Sequence, residues 1–181
     1  LMANTRNNPL EDLAMHIPMI CERYELRDDI AAGAGKMRGG IGVVKAQRML
    51  TDGIITHESE RHTSAPWGVF GGHEGAPGKC EIYNALSDAP ARSMPSKFHG
   101  ISVSKDDVMV YYSPCGGGYG HPLERDPAKV LDDVLDGFCT PEDAREIYGV
   151  VLDLEEETVD LAATERLRLN LEEALARMPV A

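Results

Sequence analysis

His57-Glu58-Ser59-Glu60-Arg61-His62 gathers two imidazoles, two carboxylates, a hydroxyl and a guanidinium into one short segment. It resembles the zinc helix His-Glu-x-x-His but is one residue too long. It also falls where alternation predicts a strand. Imidazoles separated by an odd number of strand positions point to opposite faces, which argues against a protease-type zinc pair. Glu58 and Glu60 share one strand face, as in a surface ladder. His16, His73, His99 and His121 stand alone, and there is no G-x-S-x-G elbow. Cys115, beside three glycines, is the one thiol in a loop suited to anion binding.

Three glycine-rich segments carry most of the remaining information: GAGKMRGGIG (33–42), PWGVFGGHEGAPG (66–78) and SPCGGGYGHPLERDP (113–127). A Walker loop fails, because Met37 follows Gly35-Lys36 where Ser or Thr is required and Ile30 replaces the first glycine. The dinucleotide pattern G-x-G-x-x-G fails too, with Arg38, Lys45 and His121 where third glycines belong. Two roles remain open. The glycines supply positive φ and close backbone approach, or they contact a ligand through their N–H groups. The residues alone assemble no complete catalytic constellation and no metal site.

The elements that must position these segments are mostly strands. Residues 20–27 alternate, with Ile20, Glu22, Tyr24 and Leu26 on one face and Cys21, Arg23, Glu25 and Arg27 on the other. IGVVKAQRML follows as a second strand, and Asp52-Gly53, a favoured hairpin pair, leads into IITHESER. KCEIYNAL, HGISVS and DVMVYYSP complete the set. Asp126-Pro127 and Thr140-Pro141 are N-cap and N1 pairs that open two helices. A third helix runs from about Asp160 to Met178, with Leu161, Leu167, Leu171, Leu175 and Met178 along one stripe. The fold class is therefore α+β: a β-rich, sandwich- or barrel-like body over 1–122, then about three C-terminal helices over 123–181 packed on it.

Net charge is −12; residues 121–181 hold 16 Asp and Glu against 6 Lys and Arg, so −10 sits there and −2 in the rest. Such a surface repels phosphate backbones, which argues against a nucleic-acid partner. No run approaches the length of a membrane span and no signal peptide precedes the body, so the expected location is cytoplasmic. Cys21, Cys80, Cys115 and Cys139 form no CxxC pair and read as reduced core residues.

Five segments in order, NTRNNPLEDL (4–13), ERYELR…GAGKMRGGIGVVK (22–45), SERHTSAPWGVFGGHEGAPG (59–78), SPCGGGYGHPLERDP (113–127) and VLDGFCTPEDAREIYGVVLD (134–153), resemble the C-terminal portion of the hydantoinase B/oxoprolinase family. The chain departs from the family's usual Gly-Asp-Pro at Gly120-His121-Pro122, and from a usual glycine at Cys115. The resemblance implies the C-terminal piece of a B-type subunit of an ATP-dependent cyclic-amide hydrolase, acting on hydantoin, 5-oxoproline or a lactam. It implies a hetero-oligomer with an A-type subunit that binds ATP and Mg, and a divalent metal, where present, in the N-terminal part. The isolated piece is then expected to be inactive. A ketone carboxylase subunit of the acetone/acetophenone type is the alternative within the family, and a non-catalytic scaffold is the alternative outside catalysis. Candidate substrate- or phosphate-binding residues are Asn4, Thr5 and Arg6, then Glu60 and Arg61, then Gly116, Gly117 and Gly118. Arg6 and Arg61 have the planar fork that grips a carboxylate or phosphate.

Overall fold

The computed structural model describes residues 8–177, so Asn4, Thr5, Arg6 and Met178 lie outside the described residues. The chain folds as two compact units that interleave along the sequence.

The first unit takes the described residues up to Arg27, then Val43–Thr63 and Gly78–Ser113. A short helix α1 (Leu10–His16) leads into β1 (Met19–Leu26), and β2 (Val43–Met49) and β3 (Gly53–Glu58) follow. Then come β4 (Lys79–Asn84), β5 (Arg92–Met94), β6 (Lys97–Val103) and β7 (Asp107–Tyr112). Five strands form one antiparallel sheet in the order β1-β2-β7-β4-β5, and β3 pairs with β6 alone. Asp52-Gly53 therefore does not close a hairpin back onto β2; Asp52 Oδ1 instead accepts from Lys105 N at 2.8 Å, next to β6. The alternation read over 20–27 is broken by a register shift between Cys21 and Arg23. Cys80 and Ile82 of β4 and Met109 of β7 share one sheet face, and Ile55, Phe98 and Ile101 of the β3–β6 pair pack onto it. Val44, Ala46, Val108 and Val110 fill the opposite face. Val44 and Val108 are fully buried, each worth about 1.5–3 kcal/mol of apolar transfer.

The second unit takes Asp28–Gly42, Ser64–Pro77 and the chain from Pro114 onward. A 3-10 turn (Pro122–Glu124) precedes α2 (Pro127–Leu135) and α3 (Pro141–Glu146). A two-residue ladder of β8 (Leu152–Asp153) with β9 (Thr158–Val159) then leads to α4 (Leu161–Ala176). Each helix starts on the cap its sequence offers. Asp126 accepts from Ala128 N, Thr140 from Asp143 N and Asp160 from Ala163 N. Gly137, at φ 77°, ends the turn after α2. Val130, Cys139, Ala144, Tyr148 and Val150 pack with Ala34 as the core. The leucine stripe of α4 is only partly covered, with Leu161 and Leu175 exposed and Leu167 and Leu171 half-buried. The α+β class is the one the chain adopts, antiparallel strands first and three helices after them. Among the described residues no helix is long and apolar enough to cross a membrane.

Candidate functional site

The 57–62 segment leaves the sheet as soon as β3 ends. His57 and Glu58 pair with Phe98 and Lys97 of β6, after a register shift that follows Ile55. Ser59 N still bonds Ser96 O at 2.8 Å, but Arg61 turns into the left-handed region at φ 64°. Its carbonyl accepts from Gly78 N at 2.9 Å, which fixes the turn. The turn cancels the strand parity, so the expectation that His57 and His62 face apart is corrected. The His57 ring lies 5.2 Å from the Tyr111 ring, edge-on, and the His62 ring stacks on the same tyrosine at 6.4 Å. Phe98 closes the other side of His57 at 5.3 Å.

Ser59 joins the group. Its Oγ lies 2.8 Å from His62 Nε2 and 3.2 Å from the Ser96 carbonyl. Burial lowers the pKa of both imidazoles, and the proximity of His62 lowers His57 further. Burial, and then Cys80, raises Tyr111, while Cys80 itself is pushed up to about 11 by burial and then Glu81. Near neutrality the cluster is thus an uncharged set of two imidazoles, a hydroxyl, a phenol and a thiol. His57 Nε2 is buried without a hydrogen-bond partner. Chemically the set can take up protons, but Cys80 is no nucleophile at that pKa.

Beside this cluster, and sharing Ser59 with it, Glu58, Ser59, Glu60 and Lys97 line a groove. Glu60 and Lys97 form an exposed ion pair that lowers the carboxylate's pKa and raises the ammonium's. Glu60 and Arg61 therefore do share one turn, with Glu60 held by Lys97 and Arg61 half-buried at the bend.

Gly116, Gly117 and Gly118 belong to a backbone interlock inside the second unit. Gly33 N bonds Gly116 O, and Gly116 N bonds Gly40 O. Gly118 N bonds His73 O, His73 N bonds Ala34 O, and Gly120 N bonds Val69 O. Tyr119 forms isolated bridges to both Met37 and Val69. A Cβ on Gly118 would collide with the Ala34 carbonyl, and one on Gly39 with the Gly116 carbonyl. The amides of Gly116 and Gly118 already donate to carbonyls, so ligand contact through them requires breaking those bonds. Cys115 is fully buried, and its Sγ accepts from Gly42 N at 3.3 Å. His121 Nδ1 accepts from Leu123 N at 3.2 Å and so caps the 3-10 turn as a carboxylate there would. That bond fixes the ring proton on Nε2.

Sequence reasoning also missed a buried ionic cluster in this unit. Asp133 of α2 accepts from Arg38 at 3.1 Å and from Arg125 at 2.7 Å. Arg125 further reaches the Lys36 carbonyl, and Arg38 stacks its guanidinium 5.1 Å from the Phe138 ring centroid. Only the acid's place on the inner face of an otherwise apolar helix stripe, at Val130-Asp133-Val134, signals it in the sequence. Among the described residues no group of three or more His, Cys, Asp or Glu could hold a metal ion.

The hydantoinase B/oxoprolinase family model matches residues 1–122. The B-type subunit of a candidate D-/L-hydantoinase from Pseudomonas sp. (strain NS671) is 44% identical over 93% of the chain. The delta subunit of acetophenone carboxylase from Aromatoleum aromaticum is 31% identical over 76%. Among solved structures, the crystal structure of ATP-dependent caprolactamase from Pseudomonas jessenii superposes on 90% of the chain with a TM-score of 0.73 at 27% identity. The chain spans 28% of the length of the hydantoinase relative and 28% of the caprolactamase chain.

Proposed function

The chain belongs to the hydantoinase B/oxoprolinase family, and on that premise we propose that it is the C-terminal domain of the B-type subunit of an ATP-dependent cyclic-amide hydrolase. The 44% identity to the hydantoinase relative, sustained over 93% of the chain, is the observation that carries this reading. The ATP dependence is that of the caprolactamase whose fold the chain shares.

ATP and Mg find no matching donor set in the described residues. The amides of Gly33, Gly39, Gly116, Gly118 and Gly120 are bonded to carbonyls, and among the described residues no group of three or more His, Cys, Asp or Glu is assembled. On this reading the nucleotide belongs to an A-type partner subunit, where phosphorylation of the ring amide oxygen would supply an imidate-like carbon with a phosphate leaving group. This chain contributes the frame. Its interlocked glycine segments hold a rigid wall, and Arg61, with Arg6, offers guanidinium donors to a substrate carboxylate or a phosphate. Localisation in the cytoplasm follows from that ATP requirement.

The acetophenone carboxylase relative favours a second reading, a subunit of an ATP-dependent ketone carboxylase. One assay separates the two. ATP consumption by the full-length complex is followed with 5-oxoproline, hydantoins, lactams and simple ketones, each with and without bicarbonate. Turnover of a cyclic amide without bicarbonate supports the hydrolase, and turnover of a ketone only with bicarbonate replaces it with the carboxylase. A purely scaffolding domain would bind the partner and leave every turnover rate unchanged when Arg61 is replaced.

A further inference from the structure

On the reading that this chain is part of a B-type subunit, we infer that the exposed apolar face of the glycine interlock is the seat of the remaining portion of that subunit's polypeptide. The face is built around Tyr119, bridged antiparallel to Met37 and parallel to Val69. Directly paired residues project to one side of a ladder, so the three side chains lie together. The Phe70 ring stands edge-on to Tyr119 at 5.3 Å. Met37 is 56% exposed, Phe70 77% and Tyr119 53%, and Trp67, two residues before Val69, is 67% exposed.

Phe70 sits at φ 52°, a left-handed conformation that a bulky residue seldom holds. The fold thus keeps a largely exposed aromatic ring on a strained backbone, its ring contact being the equally exposed Tyr119, an arrangement that marks a contact made elsewhere. The backbone beneath is locked by the bonds of Val69 N to Gly118 O and Gly120 N to Val69 O, so the face is ordered before anything binds. Two observations choose the occupant. The matched region is 28% of the hydantoinase and caprolactamase chains, so the greater part of a B-type polypeptide lies outside it and needs a contact surface. A second copy of this chain would bring −12 against −12, which opposes self-association.

The test co-expresses the tagged 181-residue chain with the portion of the Pseudomonas sp. (strain NS671) relative that lies outside the match. Trp67 is the one tryptophan of this chain, so the chain labelled separately with fluorotryptophan and mixed with the unlabelled longer piece gives a single fluorine resonance inside the face. The wild-type chain is expected to capture the longer piece and shift that resonance. Phe70→Asn, which tolerates the left-handed backbone, and Met37→Gln are expected to bind at least tenfold more weakly while melting no lower than wild type. Capture by both variants equal to wild type overturns the docking face and leaves the B-type reading standing. No capture by the wild-type chain of a longer piece that circular dichroism shows to be folded overturns the docking face, while the bicarbonate assay above decides the B-type reading separately. Wild-type self-association that Phe70→Asn abolishes overturns the assigned occupant in favour of a second copy.

Discussion

Arg125 Nη2 lies 2.7 Å from Asp133 Oδ2, and both side chains are more than nine-tenths buried. Arg38 holds the other oxygen of the same carboxylate, so one acid answers two guanidinium groups in the second unit's interior. Arg125 Nε has no partner, which leaves the cluster short of acceptors rather than donors.

Removing that acid should therefore be severe. Asp133→Ala strands the buried Arg125 and the half-buried Arg38 and is expected to destabilise the chain by about 3–5 kcal/mol in urea unfolding. Asp133→Asn keeps the shape but halves the acceptor capacity, and should lie between the two. An Asp133→Ala chain within about 1 kcal/mol of wild type would show that water reaches both guanidinium groups.

The histidine cluster sets an acid limb. His57 and His62 are depressed below the ordinary 6.5, so the unfolded chain binds protons first as pH falls. Stability is expected to be level above that value, to decline below it, and to flatten only beneath the folded pKa values. His57→Phe removes one of the two groups and an unpartnered buried atom. Thermal midpoints measured from about pH 8 to pH 5 should then slope less than for wild type, with no loss at the neutral end. An unchanged slope would assign the acid limb to other groups.

Glycine replacements should divide sharply by site. A Cβ at Gly118 meets the Ala34 carbonyl, whereas Gly40 has open space. Gly118→Ala is expected to cost more than about 3 kcal/mol, above ordinary overpacking because backbone must move. Gly40→Ala should stay within about 0.5 kcal/mol of wild type. Chemical denaturation of the pair checks both.

Arg61 separates frame from chemistry. Its left-handed φ suits glycine, so Arg61→Gly keeps the turn while deleting the guanidinium. In the full-length complex the expected result is at least a tenfold fall in kcat/KM. A change within about twofold would exclude a transition-state role of any size.

Much of the fold could be read locally. The helix starts at Asp126, Thr140 and Asp160 each depend on a side chain two or three residues from its target, and all three caps form. The segments IGVVKAQRML, KCEIYNAL and DVMVYYSP, read as strands, do hold β2, β4 and β7, and Val44, Cys80 and Val108 are buried in them. Partners were not legible. Asp52-Gly53 reads as a hairpin because the dipeptide is local, while the pairing of Ile55 with Ile101 spans 46 residues. The histidine cluster escaped for a related reason: no residue type announces that Arg61 will turn left-handed, and that one dihedral reverses which way His62 points. α1 and β5 carried too few periodic residues to register.

The glycine interlock also dictates an order of events during synthesis. Lys36 N waits for Gly120 O, and Gly33 N for Gly116 O, partners more than eighty residues downstream. Neither bond forms until its downstream partner has left the ribosome, so this side of the first glycine segment remains unpaired until then. Loops of that length close slowly, and a half-made chain displays unpaired strand edges and apolar glycine segments meanwhile. Yield in a heterologous host should therefore respond to chaperone level and growth temperature more than to the folded state's stability.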